Sequence, residues 1–367
     1  MTSITISDIE VAATPAQLVK ATSVSGSTPA SPKEGDPVIS LYQPTSGTAF
    51  DPRCRHALLL STAETSRNPL FHQACIYNSE HDELYVTSDL LQTTSTSSLP
   101  VVLISRVNLR RRSRPHGGGH AGTTDEDDDD PVGGSDDDVV AVEWQKLRPP
   151  HSMTMPAGGA RYPGYPGGMV FCSQGSLAEG STGGLYFMPR GKPPEALVTG
   201  FYGRDFNSPH DVAVAARDGA LWFTDPCRGF ERGFRPRPVL PCRVYRFHPE
   251  SEDLRVVADG LVRPMGIAFS PDESTVYITD ADAIRGEGDM EPPRASTIFA
   301  FDVVMRADSP FLANKRVFAV PTTGIPASIK CDPNGFVYAG CSGGIEIWNS
   351  GGMLQAVVEI PAPDERP

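Results

Sequence analysis

The 367-residue chain has no long apolar run, and no stretch approaches the ~20 residues needed to cross a bilayer. Met1–Lys20 lacks the basic start and apolar core of a secretory leader. The expectation is a soluble, cytoplasmic protein with no membrane partner. Cysteine is sparse and irregular. The count is seven, an odd number, with no C-x-x-C pair, which excludes a disulfide framework and a zinc-ligand pair and suggests a reducing compartment. Positive charge is in deficit, with 32 Lys and Arg against 45 Asp and Glu, so a nucleic-acid partner is not expected. No segment carries the period of a long amphipathic helix. No phosphate loop appears, and no Cys/His/Asp spacing suggests a nucleophile.

Glycine and proline, by contrast, are plentiful. The 35 of each make about 19% of the chain, above the usual ~12%. That excess fits many short strands joined by turns. The formal charge of −13 is concentrated: nine acids lie in Asp125–Asp130 and Asp136–Asp138, and without them it would be −4. The acidity therefore belongs mainly to one tract. Positions 110–138, with four Arg within 110–114, then Gly and His, then the two acidic clusters, read as a low-complexity insertion in a hairpin. A solvated loop is the plain reading; a calcium loop lacks the Gly and final Glu of an EF-hand.

Elsewhere one phrase recurs. Asn207–Val212 leads into Asp218–Asp225. Arg263–Glu273 leads into Val276–Asp280. Gly324–Lys330 leads into Asp332–Gly340. Each is a turn, a strand, an Asp/Gly hairpin and another strand. Earlier, Ala74–Tyr77 and Glu83–Thr87 read as strands joined at Ser79–Asp82, and Val101–Val107 as a third. The repeat is 55 residues from Trp222 to Tyr277 and 61 from Tyr277 to Tyr338. Allowing ~45–50 residues per four-stranded blade, the reading is an all-β, six-bladed β-propeller. The expected boundaries are an N-terminal arm over 1–50, partly disordered, a propeller over 51–362 and a tail over 363–367. Ligands of such propellers gather at one mouth of the central tunnel.

The phrases Phe206–Val212, Trp222–Pro226, Val244–Glu250, Arg255–Glu273, Ser296–Val303 and Gly324–Cys341 together resemble the senescence marker protein / gluconolactonase / luciferin-regenerating enzyme family. The likeness to fungal lactonohydrolase-type members is strongest, and it covers about residues 68–360. It implies a propeller with one divalent metal at the tunnel mouth, polarising a lactone carbonyl and acidifying a bound water. The family holds that metal with one Glu, two Asn and one Asp. Carried across, the Glu position is Gln73, the Asn positions are His210 and Met265, and the Asp position is Ala327. All four depart from the pattern. Gln73 keeps an oxygen but no charge, His210 a ring nitrogen, Met265 only a soft thioether, and Ala327 nothing.

The resulting expectation is a site with no metal and no other cofactor. His210 and Gln73 are the candidate catalytic residues, as neutral hydrogen-bonding groups. Met265, Ala327, Asp211, Tyr202 and Arg204 are candidate substrate contacts. The expected partner is a small, apolar natural product. The resemblance extends to fungal propellers of natural-product pathways, some of them hetero-Diels–Alderases. A metal-independent cycloaddition or cyclisation is therefore the first functional expectation. Lactone hydrolysis by a variant site and a non-catalytic ligand-binding propeller are the alternatives. Each residue also has a bland reading: His210 as a satisfied tunnel histidine, Gln73 as tunnel filler, Met265 as packing. His72 is assigned to the opposite strand face from Gln73. Arg228 and Arg232 lie in a loop read as a lid or as solvated charge. Asp225, Asp280 and Asp282 are read as turn caps, and Cys172, Cys227 and Cys341 as small buried residues.

Overall fold

The computed structural model describes residues 7–9, 19–22, 38–41, 60, 70–91, 100–111, 139–281 and 296–359. Most of the N-terminal arm, the acidic tract over 112–138, Asp282, both expected propeller boundaries and the tail over 363–367 lie outside the described residues.

Five antiparallel sheets follow one another along the chain, each built on four consecutive strands. Their innermost strands are Gln73–Asn78, Pro156–Arg161, Val212–Val214, Pro264–Phe269 and Ile329–Cys331. Each packs against the next in that order. This is a β-propeller, five of whose blades fall among the described residues, where six were expected. Intervals of 53, 55 and 62 residues separate Ala157, His210, Met265 and Ala327, which occupy matching places in successive blades. The fifth sheet is extended at its outer edge by Val38–Leu41, Val19–Thr22 and Ser7–Ile9, with Leu41 opposite Ala356. The arm thus contributes strands, as a period-2 segment next to an unpaired sheet edge can.

The cores lie between sheets. Ile76, Tyr85, Met169 and Phe171 fill the first seam, and Val170, Leu221, Phe223 and Tyr245 the second. Trp222, Ile267 and Ile278 fill the third, and Tyr277, Ile329 and Trp348 the fourth. Alternating side chains of each strand supply opposite seams, as the strand period requires. Among the described residues the one α-helix is the four-residue Arg228–Glu231. The third strand of the first sheet is Ile104–Arg111, later than the expected Val101–Val107, because Val101 makes only an isolated bridge to Leu91.

Every innermost strand carries a bulge at the same level. The pairs Ala74/Cys75, Ala157/Gly158 and Met265/Gly266 each lie opposite one residue of the neighbouring strand. So do His210/Asp211, opposite Thr224, and Ala327/Ser328, opposite Gly340. A bulge turns a carbonyl out of its own ladder, and a buried carbonyl needs a donor. The preceding blade supplies it. Thr87 Oγ1 donates to Ala157 O at 3.1 Å, and Gly158 N donates to His210 O at 2.7 Å. Thr224 Oγ1 donates to Met265 O and Thr279 Oγ1 to Ala327 O, each at 2.7 Å.

Close approach makes glycine necessary at this level. A Cβ on Gly158 would fall against Asp211 Oδ1 and 2.6 Å from His210 O, and one on Gly266 would fall 2.5 Å from Ala327 O. Gly158→Ala is therefore expected to lower unfolding free energy by about 1–3 kcal/mol through overpacking. Gly164→Ala, with nothing within 4 Å of the added carbon, should stay within about 0.5 kcal/mol of the parent. Urea unfolding of the two variants checks the pair; equal midpoints would show that the seam yields.

Candidate functional site

The bulges bring together residues far apart in sequence. Gln73, at the start of its strand, places its amide nitrogen 3.1 Å from both ring nitrogens of His210, 137 residues away. His210 Nδ1 lies 3.3 Å from Met265 O. A carbonyl oxygen only accepts, so Nδ1 carries the proton, leaving Nε2 to accept from the Gln73 amide. His210 is 2% exposed. Burial first, then the positive charge of Arg228, pushes its pKa down to about 3. The ring is neutral at ordinary pH.

Gln73 has more to offer than this bond. It lines a narrow cleft with His72, Ser88, Asp89, Leu90, Val102, Pro156, Gln174, Arg228 and Arg232. Its Oε1 has no hydrogen-bond partner among the described residues. Arg232 Nη1 donates to Asp89 Oδ1 at 2.7 Å. Burial pushes Asp89 up, but that bond and the Leu90 N–H hold it below the ordinary carboxylate value. Burial lowers Arg228, and the charge of Arg232 lowers it further. Burial also lowers His72, aided by both arginines and opposed by Asp89.

The other expected contacts are placed differently. Met265 is 2% exposed, so its side chain is packing and its backbone carbonyl is what meets His210 and Thr224. Ala327 is half-buried one blade on, and its carbonyl is occupied by Thr279. Asp211 is buried in the seam. Its Oδ1 accepts from Val212 N at 3.0 Å, its Oδ2 from Ile267 N at 3.4 Å, and Lys330 Nζ stands 3.8 Å from Oδ2. Tyr202 and Arg204 sit exposed on the hairpin Gly200–Asp205, where the Tyr202 ring tilts onto Phe201. Among the described residues no contact joins either to Gln73 or His210; alternation along a strand could not foresee a two-residue hairpin that turns them outward.

Asp225 and Asp280 cap turns as expected. Asp225 accepts from Asn207 N and Ser208 N at 3.0 and 2.8 Å, and Asp280 from Val262 N and Arg263 N at 3.1 and 2.7 Å. Cys172 is fully buried. Cys227 is only half-buried, and its sulfur lies 3.2 Å from that of Cys242. The cleft also includes residues that sequence reasoning missed or set aside. His72 was assigned to the other strand face, yet it lines the cleft together with Gln73. Gln174 carried no sequence signal at all.

For a divalent cation the donor set is poor. None of Gln73, His210, Met265 and Ala327 is a carboxylate, and both His210 nitrogens are engaged. The Asp211 carboxylate is turned into the seam toward backbone N–H groups. Among the described residues no three His, Cys, Asp or Glu side chains group as a metal site. The positions present do not fit a hard cation.

The architecture is a propeller with a polar cleft beside the bulges of its first three blades. The chain belongs to the SMP-30/gluconolactonase/LRE-like family, whose model matches residues 143–366. Lactonohydrolase oryH of Aspergillus oryzae is 32% identical over 156 residues, which are 38% of this chain and 33% of that protein. The gluconolactonase of Zymomonas mobilis is 29% identical over 164 residues, 42% of each chain. The matches thus span about a third to two fifths of the curated relatives. Among solved structures, a gluconolactonase of Xanthomonas campestris aligns with 29% identity over 56% of this chain and 63% of that one, at TM-score 0.47. A luciferin-regenerating enzyme aligns over 81% and 78%, at 12% identity and TM-score 0.49. No helix among the described residues is long and apolar enough to cross a membrane.

The His210 ring should keep its neutral Nδ1–H form in nitrogen-detected NMR from pH 8 to pH 5. Titration inside that window would place the ring in water rather than behind Gln73.

Proposed function

We propose that this chain opens lactones by hydrolysis at the Gln73 cleft. The observation that carries the reading is the Gln73–His210 pair, set at the tunnel-side bulges in a family whose relatives are named lactonohydrolase and gluconolactonase. Hydrolysis adds water to the ring carbonyl, breaks the acyl C–O bond and leaves a hydroxy acid. Neutral His210 positions Gln73 by accepting one of its amide hydrogens. The Gln73 Oε1 accepts from the attacking water, and the second amide hydrogen serves the carbonyl oxygen as charge gathers there. We infer that the site works without the family's cation, since its four positions carry no anionic ligand; no step is assigned to a metal.

A second reading keeps the cycloaddition. Its support is the lack of charge on the pair, which suits catalysis by positioning. The named relatives favour hydrolysis. We also infer a sixth blade in the whole chain: the innermost strands pack in series from first to fifth, while no such packing joins fifth to first among the described residues.

A panel of five- and six-membered lactones followed by proton release tests the reading. Turnover should fall about 10²-fold in Gln73→Ala, as for loss of an oxyanion donor, with the melting temperature little changed. EDTA should alter neither rate nor melting temperature. Inactivity on every lactone would remove the hydrolytic reading, and a rate restored only by calcium or zinc would remove the metal-free one.

A further inference from the structure

The cleft contains two unmet demands. Arg228 and Arg232 lie in the segment following Trp222–Asp225, and Arg263 stands just before the fourth inner strand. Arg232 is paired with Asp89 at 2.7 Å, and Arg263 with Glu231 at 2.8 Å. The Arg228 side chain lines the cleft yet makes no hydrogen bond and no ion pair within 4 Å among the described residues. Gln174, which lines the same cleft, is 7% exposed. Its Nε2 donates to Met155 O at 3.3 Å, while its Oε1 has no hydrogen-bond partner. A buried acceptor without a donor is costly, and so is a half-buried guanidinium without an anion. The cleft therefore holds a cation lacking an anion and an acceptor lacking a hydroxyl.

We propose that this cleft is a binding site for a hydroxy acid, with the carboxylate on Arg228 and a hydroxyl on Gln174. Arg228 presents a planar fork of donors that matches two carboxylate oxygens. The hydroxyl donates to Gln174 Oε1 and removes the orphan. The lining charges agree: Arg228 and Arg232 against Asp89 leave one positive charge, with His72 neutral beside them. In naming the acid as the product of lactone opening, the proposal rests on the hydrolytic reading; the anion site itself does not.

Calorimetric titration of the whole protein with D-gluconate at pH 7, and with glucitol as its uncharged counterpart, tests the site. Gluconate should bind and glucitol should bind at least about tenfold more weakly. Arg228→Gln should weaken gluconate about tenfold or more, with Arg228→Lys recovering part of the loss. Asp89→Asn should act in the opposite sense, because it releases Arg232 to the anion. Melting curves of each variant confirm folding, and the opposed directions of Arg228→Gln and Asp89→Asn separate loss of a contact from loss of structure. Equal affinity for gluconate and glucitol, or affinities unmoved by both substitutions, would overturn the proposal. Gluconate binding without turnover of any lactone would support the anion site while removing the hydrolytic reading. Lactone turnover with gluconate affinity unmoved in Arg228→Gln would do the reverse.

Discussion

In four of the five blades described, a bulge at the innermost strand turns one carbonyl out of its own sheet. Ala157, His210, Met265 and Ala327 each offer theirs to the blade before. Thr87, Gly158, Thr224 and Thr279 answer. Each bond is worth only about 0.5–1.5 kcal/mol net, but leaving any of these buried oxygens unmet costs about 1–3 kcal/mol. The constraint therefore acts on geometry more than on total stability. It sets how deeply one blade slides past the next, and it demands a hydroxyl or a bare glycine at matching places. The apolar seams, with Trp222, Phe171, Tyr245 and Tyr277, supply the bulk of the burial but would tolerate more variation in alignment.

The candidate site is a by-product of that alignment. Because the bulges share one level, residues at or beside them meet across blades. Gln73 reaches His210, and His210 reaches Met265 O. The same packing that joins them also removes His210 from titration, since burial and the Arg228 charge both oppose its protonation. What remains is a neutral pair backed by a buried scaffold, opening into a cleft where charge is supplied by arginines from the segment after the third blade's second strand. Asp211 illustrates the division of labour. It neighbours His210, yet its carboxylate holds the third and fourth blades together through Val212 N and Ile267 N rather than facing a ligand.

Much of this was legible in local pattern. The three recurring phrases announced the blades, and Asp225 and Asp280, read as turn caps, accept from the backbone N–H groups of their turns. The less legible parts have identifiable causes. Tyr202 and Arg204 looked close to the mouth in sequence, but a tight hairpin turns them away. His72 looked as if it faced away from Gln73, but the two residues border the same cleft at the start of the first blade's inner strand. Gln174 and Asp89 carry no motif; they matter because their strands end beside the cleft.

By itself the sequence determined the class of fold and the repeat. Strand period, turn residues and side-chain type are local properties, and a reader needs only a few neighbours to see them. The tertiary structure alone decided that Gln73 and His210 touch across 137 residues, that the Met265 side chain is packing, and that an unpaired Arg228 side chain and an unmet Gln174 oxygen belong to one cleft. Those facts depend on the offset between blades. That offset is set by hydrogen bonds and seam packing spread over the ring, and no single segment contains them.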